Sequence, residues 1–312
     1  LDRLSPGSWI HGNFDTWSGH SEKNRAWEMI YQTRRDVDNY KGDISDEVKE
    51  KVKFHFLASE CSDWFWWYGK DQETSLEGDF DRIFRETLKN VYRLAGEGVP
   101  DFLDESVLSD DLDSLVAAVK SRWGQPEIPS FPYFSALQTI DLVGHHCLGL
   151  PGPLGVRGPM NCLGDGQDAE YQLGPTVSLD GDTVLAVIGT LGTETGNATY
   201  VSLSVNWFPE LVGVLNRDDT VLEESAKKYK DAISDTDSEL YKKFYVYYFA
   251  RDCSGLYPWC EEVPITQVPR GDTIKIVQRN YINPGSRRAP EPHMVLNPFS
   301  IVFDGSTRPP TD

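Results

Sequence analysis

Apolar residues in the first part of the chain recur at helical spacing. Ser21 is expected to cap a helix over residues 22–40, and Ser45 or Asp46 is expected to begin a second one. Polar residues fill the positions between the apolar ones in both segments, which is typical of helices that bury one face. The pattern therefore predicts at least two amphipathic helices before residue 60.

The clearest helix begins after Asp79, where the apolar positions form one unbroken stripe. Gly96 stands where a residue in the left-handed conformation would end this helix. A fourth helix is predicted over residues 110–123. The stripe after Asp79 consists of Phe80, Ile83, Phe84, Thr87, Leu88, Val91 and Tyr92.

The pattern changes at Gly124, where strand alternation replaces helical periodicity. Turn residues, mainly Gly and Asp, separate the alternating segments, and a polar insertion of helix or loop is expected over 221–233. This pattern predicts an α+β fold with an N-terminal helical segment, 1–125, followed by an antiparallel β-sandwich-like domain, 126–312. The predicted strands are 176–181, 183–191, 199–208, 243–250, 273–282 and 300–305.

The charge of the 312-residue chain limits its partners. A formal net charge of −19 repels nucleic-acid phosphates and anionic lipid, so neither is expected as a partner. No stretch approaches the roughly 20 apolar residues that cross a bilayer. The chain begins at Leu1 rather than Met, so we expect a processed product or the part of a longer protein.

The five cysteines allow two local disulfides. Cys253 and Cys260 enclose one short loop, Cys147 and Cys162 enclose another, and Cys61 is left over. The alternative is five reduced thiols in a reducing compartment. Together with a glycosylation sequon at Asn197, the cysteine pairs favour an extracellular or lumenal location over the cytoplasm.

Two acid-rich turns offer oxygen ligands for a cation. The turns at 165–168 and 180–182 could bind Ca²⁺ through carboxylate and carbonyl oxygens, although ordinary solvated turns have the same composition. Adjacent His145, His146 and Cys147 lack the spacing of a zinc site. We therefore predict no metal ligand set and no cofactor, with Ca²⁺ as the one alternative.

All five residues at positions 64–68 are aromatic, and we call this run the aromatic block. Asp63 precedes Trp64, and a carboxylate beside an indole ring suits a sugar, whose hydroxyls and apolar ring face need these two groups. The alternative is a seam between domains, with Asp63 accepting hydrogen bonds from a backbone turn. Both interpretations predict that the aromatic block meets a second surface.

The segment SDWFWWYG and the helix after it resemble the last motif of family-57 glycoside hydrolases, the α-amylase and amylopullulanase type. The upstream segment PGSWIHGNFDTWSGHSEKNRAWEMI is similar to that family's Gly-Ser-Trp and Glu-x-Asn-x-Ala-Trp region, and together the two cover residues 5–96. The resemblance implies an α-glucan enzyme in which Trp9, Ser62, Asp63 and Trp64 line the substrate cleft.

The same resemblance implies that the catalytic Glu and Asp belong to a barrel upstream of this chain, and no catalytic residue is predicted here. The first functional hypothesis is therefore a partial family-57-like hydrolase that contributes cleft-lining or interface residues. The second is a non-catalytic accessory or structural subunit, whose aromatic block docks on a protein partner. A third is a carbohydrate-binding module formed by the β domain.

Overall fold

The computed structural model describes residues 14–40, 42–69, 77–135, 168–208, 212–233, 239–285 and 289–309. The chain divides into two compact units, each with its own hydrophobic core. The first unit contains Leu1–Val107 and Asn283–Arg287, and the second contains Leu108–Ile282 and Arg288–Asp312.

The first unit is helical. Its core is formed where one face of each long helix meets the others, chiefly through Phe84 and Leu88, which have no exposed surface. The helices are α1 (Ser21–Asn39), α2 (Asp46–Ser59), α3 (Ser62–Trp67) and α4 (Glu77–Ala95).

The ends of these helices follow capping chemistry. The Ser45 hydroxyl accepts a hydrogen bond from the backbone N–H of Val48, which confirms the predicted start of α2. The predicted cap of α1 is wrong by one residue, because His20 takes the capping position and its Nδ1 accepts from the N–H of Glu22. Ser21 is instead the first residue of the helix.

The second unit begins with α5 (Ser109–Arg122) and continues into two five-stranded sheets. The strands are β1 (Ser130–Pro132), β2 (Phe134–Ser135), β3 (Ala169–Ser178), β4 (Thr183–Thr190), β5 (Tyr200–Phe208), β6 (Val212–Asp218), β7 (Phe244–Ala250), β8 (Cys260–Glu262), β9 (Thr273–Tyr281) and β10 (Phe299–Asp304). Short helical turns, Asp219–Leu222, Lys227–Tyr229 and Lys230–Ile233, occupy the insertion predicted over 221–233.

The first sheet has the strand order β1-β10-β4-β7-β8, and the second has the order β2-β3-β9-β5-β6. Neighbouring strands are antiparallel, except that β7 and β8 run parallel. The helices followed by antiparallel-rich sheets confirm the predicted α+β class.

The main core of the second unit lies between the two sheets. Leu185 and Tyr247 of the first sheet share this core with Leu203 and Ile276 of the second. Both faces of the first sheet are covered, since its other face packs against α5. Every residue of β7 is consequently buried.

This packing explains where the division between the units falls. We expected α5 to belong to the helical segment that ends at residue 125. Its apolar residues Leu112, Leu115 and Val119 instead pack against Ala186 and other residues of the first sheet. The structure therefore divides the chain at 107/108 and assigns α5 to the second unit.

Candidate functional site

The aromatic block lies on α3, between α1 and α4. Phe65 is buried and stacks on Trp27 of α1, with ring centroids 4.2 Å apart. On the opposite side, Trp64 and Trp67 lie 6.4 and 5.5 Å from the ring of Phe80 on α4. Because successive helical residues point in different directions, the block contributes to packing on two sides of the short helix.

Trp64 is half-buried, and its indole nitrogen already has a partner. The Nε1–H donates a hydrogen bond of 2.8 Å to the carbonyl oxygen of Ala58, at the end of α2. One side of the ring packs near Phe84, at 6.1 Å between centroids. Only part of the ring surface is therefore open to a ligand.

The other predicted binding residues differ in their surroundings. Ser62 and Asp63 are exposed in the first turn of α3. The structure thus brings Ser62, Asp63 and the open part of Trp64 together on one short helix. Trp9 lies outside the described residues.

Two buried cations lie beneath α3. Lys23 is fully buried, and its Nζ donates to the carbonyl oxygen of Asp15 at 3.2 Å. Arg85, also buried, donates from Nε to Asp81 at 2.8 Å and from Nη1 to the carbonyl oxygen of Phe102 at 2.9 Å. These bonds satisfy cations that would be costly to bury alone.

The end of α3 is fixed by hydrogen bonds to both long helices. The Tyr68 hydroxyl donates to Asp81 at 3.2 Å, and burial, aided by that carboxylate, raises the pKa of Tyr68 well above its usual value. Glu22 accepts a 2.6 Å hydrogen bond from the backbone N–H of Gly69. Both carboxylates are thus used to hold α3, so their geometry suits positioning rather than acid–base chemistry.

Sequence reasoning missed this polar network. The available signal was the presence of Lys23 and Arg85 on the apolar faces of their helices, where a charged residue needs a specific partner. The pair Asp81 and Arg85 has helical i, i+4 spacing on α4 and could be found from the sequence. The bonds of Lys23 to Asp15 and of Arg85 to Phe102 join separate segments, so they could be found only from the fold.

The predicted disulfide between Cys253 and Cys260 is present, with the two Cα atoms 5.7 Å apart. Cys61 is an exposed free thiol. Cys147 and Cys162, together with His145 and His146, lie outside the described residues.

The sequon asparagine is buried. Asn197 has no exposed surface, and its Nδ2 donates to the Thr195 hydroxyl at 3.3 Å. Because a glycan would be attached to this same nitrogen, the folded unit has no room for one there. This burial argues against the predicted glycosylation.

The acidic turn at 180–182 is held by protein donors. The Asp180 carboxylate accepts from the backbone N–H of Gly271 and from the Ser178 hydroxyl, and these bonds, that of Gly271 first, lower its pKa. Within the described ranges, no three His, Cys, Asp or Glu residues are grouped as metal ligands. The turn at 165–168 is described only at Asp168.

A cluster of amides lies inside the sandwich, at one end of the core. Gln278 and Asn280 of β9 both donate to Oε1 of Gln172 on β3, at 2.9 and 3.0 Å. Gln172 in turn donates to the carbonyl oxygen of Leu296 at 2.9 Å, and the Tyr245 hydroxyl donates to Gln278. This interior amide cluster replaces apolar packing at that end.

Glu170 lies beside the interior amide cluster, as the β3 partner of Asn280. It is fully buried, and the Ser135 hydroxyl on β2 is a hydrogen-bond donor beside its carboxyl group. Burial raises the pKa of Glu170 to about 7, with a contribution from Glu291 that the Ser135 hydroxyl opposes. A buried acid with a perturbed pKa is a candidate functional group.

Comparison with known proteins adds no relative to this picture. Protein-family models, curated proteins and solved structures all give no match to the chain. None of the helices in the described ranges is long and apolar enough to cross a membrane. The family-57 resemblance therefore stays a prediction from the motifs.

Proposed function

We propose that the first unit binds an α-glucan as part of a family-57-type glycoside hydrolase. Its role is to bind and orient the sugar chain, while the catalytic Glu and Asp come from a separate barrel. The observation that carries the proposal is the exposed pair Ser62 and Asp63 beside the half-exposed ring of Trp64. These groups match the hydroxyls and the apolar face of a glucose ring.

The hydrogen bonds that fix the position of α3 support this role. Gly69 is bonded to Glu22 of α1, and Tyr68 is bonded to Asp81 of α4, so the short helix is held at its end from two sides. A binding group that is fixed before the ligand arrives loses less conformational entropy on binding. Asp63 is exposed on this fixed helix and can accept hydrogen bonds from two neighbouring hydroxyls.

A titration with maltohexaose, followed by tryptophan fluorescence, tests the proposal. We expect Asp63→Ala to weaken binding about tenfold or more, because a hydrogen bond to a charged group is lost. Asp46→Ala is the matched control, since Asp46 is an exposed acid in the first turn of α2. Equal affinities in the wild type and Asp63→Ala, or no binding by the wild type, would contradict the proposal.

One observation favours the accessory-subunit alternative. Phe54 and Leu57 on α2 are 67% and 58% exposed, which is unusual for two neighbouring large apolar side chains. In this alternative, α2 rather than the aromatic block meets the protein partner. A photo-crosslinking residue at position 57 should then capture one defined protein in the producing cells, and the same residue at position 223 should not.

A further inference from the structure

The outer face of the second sheet differs in character from its inner face. The inner side adds apolar residues such as Leu203 and Ile276 to the core between the sheets. Side chains alternate along a strand, so the residues between these point outward. Ser202 and Ser204 of β5 lie outward in this way, and Ser202 is the cross-strand partner of Arg279 on β9. We call this side of β2, β3, β9 and β5 the outer sheet face.

One end of the outer sheet face carries three tyrosines and a cation. Tyr200 and Tyr281 are cross-strand partners, with ring centroids 5.3 Å apart. Tyr171 lies on the other side of β9, where the guanidinium carbon of Arg279 is 5.4 Å from the centroid of its ring. All four side chains are partly exposed. A ligand at this end would therefore meet ring surfaces and a positive charge together.

The opposite end repeats this combination with a lysine. The Nζ of Lys275 is 5.8 Å from the ring centroid of Phe134 and 5.9 Å from that of Phe208. It donates a hydrogen bond of 3.1 Å to the carbonyl oxygen of Gly174. Burial lowers the pKa of Lys275, because the ammonium group has lost part of its water. A negative charge brought to this end would compensate that loss.

Lys275 and Arg279 have no carboxylate partner within the described ranges. The ion pairs among the described residues of the second unit include neither of them, although acids outnumber basic residues by 49 to 30 in the chain. The two residues are four positions apart on one strand, which places them about 13 Å from each other. A ligand that reaches both is therefore longer than one sugar ring and carries negative charge.

The outer sheet face offers side chains rather than backbone groups for recognition. β9 is paired with β3 and β5, and β5 is paired with β9 and β6, so a peptide cannot add to either strand as a neighbour. Ser202 and Ser204 are small and buried, so the larger aromatic side chains at the two ends rise above them. Aromatic rings suit the apolar faces of sugar rings, and the cations suit carboxylates.

We propose that the outer sheet face binds an acidic oligosaccharide. Lys275 and Arg279 bind carboxylates of two different sugar units, and the flanking aromatic side chains pack against the sugar rings. The site lies in the second unit, so the proposal does not depend on glucan binding by the first.

Isothermal titration calorimetry of the full chain with hexagalacturonate tests the site. We expect Lys275→Gln and Arg279→Gln each to weaken binding about tenfold or more, because each removes a hydrogen bond between charged groups. Lys227→Gln is the matched control and should bind like the wild type, since Lys227 is an exposed lysine that is paired with Glu224. Asp63→Ala should also bind hexagalacturonate normally, which separates this site from the proposed glucan site.

Phe134→Ser and Phe131→Ser form a second matched pair. The two side chains are 39% and 42% exposed, but Phe134 lies beside Lys275, whereas Phe131 belongs to β1 of the first sheet. Only Phe134→Ser should weaken the binding of hexagalacturonate. Thermal unfolding of each variant distinguishes a loss of affinity from a loss of the fold.

Three results would overturn the proposal. The first is the absence of hexagalacturonate binding by the wild type, and the second is equal affinity in the wild type and Lys275→Gln. The third is hexaglutamate binding as tight as that of hexagalacturonate, which would identify the outer sheet face as a site for acidic peptides instead.

Discussion

Trp64 shows how one side chain serves both the core and a candidate ligand surface. Its indole N–H is bonded to Ala58 and part of its ring packs on α4, so replacement by alanine would disturb the first unit as well as any sugar contact. Trp64→Phe keeps a ring but removes the hydrogen bond. We expect this change to lower the free energy of unfolding by about 1 kcal/mol, as measured by urea denaturation.

Tyr31→Phe is a suitable control for that measurement. Tyr31 is 63% exposed, so loss of its hydroxyl should leave the stability nearly unchanged. If Trp64→Phe were equally neutral, the hydrogen bond to Ala58 would have no measurable role in holding α3.

Glu170 should make the stability of the second unit depend on pH. Its pKa is raised from 4.5 to about 7 in the folded protein, so the folded state holds a proton that the unfolded state has released. The stability that this proton contributes is therefore fully present below the unfolded pKa of 4.5. It is lost as the pH rises through the folded pKa of about 7. Between about pH 5.5 and about pH 8, the loss should be about 2 kcal/mol.

Glu170→Gln removes this titration and keeps a side chain of similar size. The difference in unfolding free energy between wild type and variant, measured by urea denaturation at both pH values, isolates the contribution of this one carboxyl. A difference that stays constant with pH would mean that Glu170 is ionised with a compensating partner in the folded protein.

The sequence could not predict the inward direction of Glu170 and Gln172. On β3, polar residues at these two positions alternate with Tyr171 and Leu173, and alternation separates two faces without saying which one meets the core. From sequence, the polar face of a strand is usually assumed to meet the solvent. In the structure the polar residues face inward, because partners on β9 and on the segment before β10 satisfy the amides.

At the scale of the element, the end of α4 follows the prediction made from Gly96. This residue has φ +81°, and the N–H groups of Gly96 and Glu97 bond to the carbonyl oxygens of Arg93 and Tyr92. Gly96→Ala forces a Cβ into the left-handed conformation, so we expect it to cost about 1 kcal/mol or slightly more of stability in thermal or urea unfolding.

Gly98→Ala is the matched control for this substitution. Gly98 lies two residues further along, is not among the positive-φ glycines, and has open space around its Cβ position. We therefore expect a neutral or slightly stabilising effect. Equal losses at both positions would show that the helix end does not depend on the backbone freedom of Gly96.

Long elements were predictable, and short ones were less so. The helical stripe of α4 and the alternation in β4, β5, β7, β9 and β10 identify these elements from sequence alone, because each spans several periods. β1, β2 and β8 contain three residues or fewer, which is too short to show a period. β6 was missed because its Gly213 and polar Asn216 weaken the alternation.

At the scale of the whole molecule, two separate cores predict two responses to core mutation. Leu88 is buried in the first unit, and Leu185 is buried between the sheets of the second. Replacement of either by alanine should cost about 2–5 kcal/mol in the unit that contains it. Calorimetry should show each variant lowering the melting of a different transition, whereas one shared transition would mean that the units unfold together.

The fold class followed from the sequence, but the boundary between the units did not. The change from helical to strand periodicity at residue 124 is a change of secondary structure, whereas the unit boundary depends on which core a helix joins. α5 has an apolar face that suits either core, and only its contacts with the first sheet assign it.

The complete burial of β7 has a consequence for its alignment with its neighbours. Since apolar residues line both faces, hydrophobicity alone would tolerate a slip of one position along β4. The phenol groups prevent such a slip. On one face of the sheet the Tyr245 hydroxyl is hydrogen-bonded to Gln278, and on the other face the Tyr248 hydroxyl is hydrogen-bonded to that of Tyr229. A slip of one residue would turn each tyrosine to the opposite face of the sheet. Both hydroxyls would then be buried without hydrogen-bond partners. In a strand that is apolar on both faces, the tyrosine hydroxyls thus specify a single register with the neighbouring strands.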